Sequence, residues 1–99
     1  MLQTFETYQL SKDLYRACEM IRTKGYIKDQ LMRASLSVVL NLAEGSARPT
    51  AKDRRRFYSI SYASVREVQS ILDQLHRTRE FDLADRVGAM LYKLRQNTE

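Results

Sequence analysis

Apolar side chains recur along this chain at steps of three and four, the period of a helix with one buried face. The first predicted helix runs from about Thr4 to Thr23, with Leu10, Leu14, Cys18 and Ile21 on one side. Lys24-Gly25 closes it, because glycine tolerates the left-handed turn just past a helix end. The second runs from about Lys28 to Glu44, with Leu31, Ser35, Val38 and Leu42 in register, and Gly45 ends it. After a short loop, Ser46 to Pro49, a third helix starts at Thr50, a good N-cap with Asp53 three residues on. It reaches about Thr78 on a stripe of Phe57, Ile60, Ser64, Val68, Ile71 and Leu75. A fourth begins near Asp82, another N-cap residue, and carries Leu83, Val87, Met90 or Leu91, and Leu94. Short loops force successive helices to run antiparallel, so the expected fold is all-α: an up-and-down four-helix bundle forming a single domain over residues 1–99.

The second helix has more apolar surface than one bundle covers. Leu31, Ala34, Ser35, Val38 and Leu42 form one face, and Met32, Leu36, Val39, Leu40 and Ala43 form another beside it. A helix apolar over most of its circumference is surrounded by protein, and a chain of this size gains little net stability from its own core. Both arguments point to a homo-oligomer. The same helix keeps one narrow polar strip, Arg33, Ser37, Asn41 and Glu44. It is read first as an interhelical hydrogen-bond network that fixes register, with Glu44 pairing a following arginine, and second as a contact point for a polar ligand or RNA.

Composition sharpens this picture in two ways. Three glycines and one proline are too few for the tight turns of a sandwich or barrel. Lysine and arginine number 17 against 12 acids, a net charge of +5, which suits a polyanionic partner. Most of that excess lies in one stretch, where Arg48, Lys52, Arg54, Arg55 and Arg56 face a single acid, Asp53. Farther along the third helix, Arg55, Tyr58, Tyr62 and Arg66 share a face. Cations interleaved with tyrosines suit a phosphate backbone whose bases stack on rings. Arginines in the first turns of a helix also oppose its dipole, a small cost that hints at a use. The competing reading is a solvated face, or ion pairs to Glu67 and Asp73 of a neighbouring subunit.

Catalytic constellations are not legible. His76 is the only histidine, so the Asp73-to-His76 segment cannot supply a di-iron bundle site, which needs two such pairs. Cys18 sits on an apolar stripe as a small core residue, and one cysteine builds neither a disulfide framework nor a cysteine-based zinc site. Gly25, Gly45 and Gly88 are isolated, so no phosphate-cradling loop is present. The expectation is a non-enzymatic protein with no metal and no cofactor. A carboxylate-only nuclease using Glu44 stands as a weaker third reading. The start, Met1 to Glu6, lacks the basic and apolar regions of a secretion signal, and the longest apolar run, Val38-Val39-Leu40, is far too short to span a membrane. A cytoplasmic protein is expected.

Two blocks resemble a known family. In the segment from Asp29 to Arg48, the residues Gln30, Arg33, Ala34, Ser37, Asn41, Ala43, Glu44, Gly45 and Arg48 match the signature of a bacterial four-helix-bundle family. Its members are encoded in intervening sequences of 23S ribosomal RNA genes and elsewhere in bacterial genomes. In the second block Arg56, Phe57, Ile60, Ser64 and Glu67 match. Val39 stands where that family usually has proline, which leaves the helix less kinked, and Ala63 stands where glycine is common. The resemblance implies a bundle assembled as a homopentameric ring. A branch similar in fold, the accessory variability proteins of diversity-generating retroelements, forms basic pentamers that bind nucleic acid and a reverse transcriptase.

The function expected from all of this is binding of nucleic acid, RNA in preference to DNA, through Arg48, Lys52, Arg54, Arg55, Arg56, Tyr62 and Arg66. An accessory role beside a nucleic-acid enzyme such as a reverse transcriptase would fit. The alternative is a protein-interaction scaffold whose arginines serve subunit or partner contacts.

Overall fold

The computed structural model describes residues 2–99, so of the expected domain only Met1 lies outside the described residues. Four helices follow one another: α1 (Leu2–Glu19), α2 (Gly25–Ser46), α3 (Ala51–Gln74) and α4 (Thr78–Asn97). Each packs on its two neighbours in a closed cycle, α1 on α2, α2 on α3, α3 on α4 and α4 on α1, and among the described residues the backbones of diagonal helices do not approach closely. The molecule measures 40 × 21 × 17 Å, which is one long helix in length and two helices in each other direction. Ser37 meets Ser64 while Gly45 lies against Phe57, so α2 and α3 run antiparallel. Tyr62 meets Tyr92 while Arg55 reaches Thr98, which sets α3 against α4 in the same way.

The core is aliphatic. Leu14, Leu31, Leu42, Leu72 and Leu91, with Val38, Val65, Val68 and Val87, are fully enclosed between the helices. The first face of α2 expected from its spacing, Leu31, Ala34, Ser35, Val38 and Leu42, is buried. The stripe expected on α3 is turned by about one position. Tyr58, Ser61, Val65, Val68 and Leu72 point inward together with Ser64 and Gln69, whereas Ile60 is 39% exposed. The reason is polar burial with partners. Ser61 donates to the Val38 carbonyl at 2.7 Å, Ser64 bonds Ser37 at 2.8 Å, and Gln69 donates to Asp85 at 3.1 Å. A stripe counted on apolar residues alone misses side chains that enter the core fully hydrogen-bonded.

Two glycines do not stop helices where the spacing placed the stops. Gly25 opens α2, and α1 ends earlier, at Glu19. The orphan carbonyls at that end are taken by the Lys28 ammonium, which donates to the carbonyls of Glu19 (2.7 Å), Ile21 (2.5 Å) and Cys18 (3.4 Å). A cation at a helix C-terminus also complements the dipole, so no glycine cap is required. Gly45 lies inside α2 and is buried. A Cβ there would stand 2.9 Å from both Phe57 Cβ and Tyr58 Cε1, so the glycine lets α2 and α3 approach closely.

The turn between α3 and α4 comes earlier than Thr78. His76 adopts φ 58°, its N–H bonds the Asp73 carbonyl, and the Arg77 N–H bonds the Leu72 carbonyl. That pair of bonds around a left-handed residue is the Schellman closure of a helix, built here on histidine in place of glycine. α4 therefore starts at Thr78, and Asp82 falls within it and caps nothing.

Candidate nucleic-acid interface

The loop after α2 delivers the basic cluster to one end of the bundle. Thr50 is the N-cap of α3, its hydroxyl accepting from the Asp53 N–H at 3.2 Å, as its position in the sequence predicts. The first turns then carry Lys52, Arg54, Arg55 and Arg56, which diverge in what they do. Arg54 turns inward and donates to the carbonyls of Arg48 and Pro49 (both 3.1 Å) and of Glu99 (3.4 Å). Arg55 donates to the Thr98 carbonyl at 3.0 Å. Both guanidiniums thus satisfy backbone acceptors of the loop and of the far end of α4, where positive charge is favourable. The penalty of placing arginines at the start of α3 is offset across the bundle, so that placement by itself no longer argues for a ligand.

The other three cations stay in reach of solvent. Lys52 is exposed. Arg48 pairs with Glu44 at 2.5 Å and Arg56 with Asp53 at 3.8 Å, half-exposed pairs of the kind worth less than about 1 kcal/mol. Both guanidiniums lie against one ring, that of Phe57, at 4.8 and 4.5 Å from its centroid. The stacking holds both charges against the same ring beside the loop.

Tyr58, which the spacing puts on the basic face, is a core residue. Burial pushes its phenol above the ordinary range, partly countered by a hydrogen bond from Thr4 and by the Arg54 charge. Beside it a hollow of about 280 Å³ opens at the bundle's end among Gln3, Ser46, Arg54 and Asn97. Tyr62 and Arg66 lie farther along α3 on its seam with α4, Arg66 stacked 5.6 Å from the Tyr62 ring centroid. From Arg55 to Arg66 is about 16 Å along the helix, so the expected residues form two patches. The seam also holds Tyr92, Asp85 and Arg95 of α4, which the sequence left unassigned because the register of α4 against α3 is set by the early turn at His76.

The polar strip of α2 separates into three local groups. Ser37 and Asn41 form one with Ser64, Asn41 Nδ2 donating to the Ser37 hydroxyl at 3.0 Å and to its carbonyl at 2.9 Å. Arg33 is exposed and bonds Gln30, and Glu44 bonds Arg48. The second apolar face of α2 is partly bare. Val39 is covered, but Leu36, Leu40 (56% exposed) and Ala43 remain open beside Phe5 of α1 (59% exposed).

Among the described residues no three His, Cys, Asp or Glu side chains gather as metal ligands, and no helix is long and apolar enough to cross a membrane. Cys18 is buried, and desolvation raises its thiol to about 11, so it stays protonated at neutral pH. No curated protein and no solved structure matches the chain. The family described as 23S rRNA-intervening sequence protein matches residues 2–93, nearly the whole length, and the chain belongs to that family.

Proposed function

We propose that this protein is a non-enzymatic, oligomeric helical bundle that binds RNA through the basic end of α3. What carries the reading is the trio Arg48, Lys52 and Arg56, two of them stacked on Phe57 and all drawn from the loop before α3 and its first turns. Arg54 and Arg55 lie behind them and hold the loop and the end of α4 in place. Clustered cations at the start of a helix suit a polyanionic backbone, and each phosphate neutralised releases counterions.

Self-association completes the proposal. Leu36, Leu40 and Ala43 on α2, with Phe5 on α1, present an apolar face that a second copy of this chain covers. The expected assembly is a ring of five, repeating the basic end around its rim. Light scattering on the purified protein reads the subunit count, and Leu40→Glu is expected to lower it.

The binding test is fluorescence anisotropy with a labelled structured RNA over a salt series. Affinity should fall linearly in log–log form, and Lys52→Gln or Arg56→Gln should each lower the slope by about 1 per binding site. RNA affinity that is absent at low ionic strength, or unchanged by salt, refutes the reading.

A further inference from the structure

The seam between α3 and α4 presents exposed groups that the basic end does not use. Tyr62 of α3 and Tyr92 of α4 stand with ring centroids 6.1 Å apart and planes tilted by 52°. Tyr92 is 50% exposed, and its hydroxyl accepts from Gln96 at 3.0 Å. Next to the pair is a hollow of about 360 Å³ lined by both tyrosines, Arg66 and Asp85, with Gly88 and Ala89 contributing almost no side chain. That volume lies at the small end of ligand-sized sites.

The charges at this hollow are held but not spent. Arg66 and Asp85 do not pair with each other. Gln69, almost fully buried, sits between them, accepting from Arg66 at 2.8 Å and donating to Asp85 at 3.1 Å. A guanidinium has five N–H donors and a carboxylate about four acceptor sites, so each keeps bonding capacity beside two aromatic rings. On the other side of the tyrosines along the seam, Arg95 is fixed by a hydrogen bond to the Ser59 hydroxyl. Ring faces, a donor next to an acceptor, and a cation a turn away are the elements with which proteins hold an unpaired base and its phosphate.

We propose that this hollow takes one unpaired nucleobase of a single-stranded RNA, its face against Tyr92 with Tyr62 beside it, its polar edge bonded by Arg66 and Asp85, and its phosphate met by Arg95. The inference rests on the RNA-binding reading above and adds a preference for strand state. In a duplex the base faces are covered, so only a single strand or an open loop fills the site. Stacking serves every base, so the site is tolerant of sequence.

The experiment uses the full chain with a short fluorescein-labelled RNA of mixed sequence, single-stranded or annealed to its complement. The single strand should bind more tightly than the duplex. Tyr92→Leu and Arg66→Met should each weaken the single strand about ten-fold and leave the duplex unchanged. Both side chains are largely exposed, and an unaltered thermal melt confirms that the variants are folded. The six tyrosines and absence of tryptophan give a second readout, quenching of tyrosine emission by the single strand that Tyr92→Leu diminishes. Single-strand affinity in Tyr92→Leu equal to that of the parent, or equal binding of duplex and single strand, overturns the proposal. If Lys52→Gln and Arg56→Gln still weaken binding in that case, the basic-end reading survives alone. A parent protein with no RNA affinity removes both.

Discussion

Two glycines lie inside helices, and replacing each by alanine should move stability in opposite directions. Alanine in a helix interior is favoured over glycine by about 0.5–1 kcal/mol. At position 88 the new methyl would sit 3.4 Å from Val65 Cγ1 and 4.0 Å from Tyr62 Cε1, which is ordinary contact. Gly88→Ala should therefore stabilise the fold by about 1 kcal/mol, raising the melting temperature of a domain this size by about 4–8 °C. At position 45 the methyl meets Phe57 Cβ and Tyr58 Cε1 at 2.9 Å and Tyr58 Cδ1 at 3.0 Å. Phe57 Cβ is fixed to the backbone of α3, and Tyr58 is a buried ring, so neither neighbour yields without moving a helix. Overpacking of this kind costs about 1–3 kcal/mol. With the obstacle at backbone level the upper end applies, leaving Gly45→Ala about 2 kcal/mol less stable after the helix-propensity gain. Thermal melts followed by circular dichroism, at one fixed protomer concentration because association contributes, would place the variants on either side of the parent. A Gly45→Ala protein that melts at or above the parent refutes the close-approach argument. A Gly88→Ala protein that melts below it refutes the contact geometry at the seam.

Two further outcomes can be checked in the same way. His76→Gly should stabilise the turn by about 1 kcal/mol, because histidine holds a left-handed conformation that glycine adopts without a Cβ clash; urea titration reads it, and a decrease would show that the histidine side chain supports the turn. Cys18, with its thiol raised from 9.0 to about 11 by burial, binds its proton more tightly folded than unfolded. Its contribution is fully present below pH 9 and is lost as pH rises toward 11, so Cys18→Ala should flatten the alkaline limb of the stability profile, and an unaltered limb counts against it.

The helices were legible because long periodic stretches separated by short loops leave few alternatives, and α2 was legible to the level of its buried face. The cap at Thr50 was readable because its chemistry is local. What failed depends on partners distant in sequence. Lys28 closes α1 from the next helix, so Gly25 is not needed there. Ser61 and Ser64 enter the core because the Val38 carbonyl accepts from the one and the Ser37 hydroxyl bonds the other, which rotates the α3 stripe and buries Tyr58. The basic cluster was visible as composition, but which of its arginines bond the backbone depends on the carbonyls of the loop and of the far end of α4. Tyr92 and Asp85 had no signal of their own, since only the register of α4 brings them beside Tyr62 and Gln69.

The inward arginines have an effect beyond their hydrogen bonds. Arg54 and Arg55 donate to backbone carbonyls of residues 48, 49, 98 and 99. The potential of a dipole dies away with distance faster than that of a net charge, so these contacts quiet the guanidiniums only at close range. An approaching polyanion still senses both as full positive charges, although their bonds to the backbone limit how far either can reach toward it. At this end of the bundle long-range attraction and direct contact are thus divided between different side chains, and attraction at a distance governs arrival rates more than final affinity. Arg54→Gln should therefore slow association and leave the dissociation rate close to that of the parent.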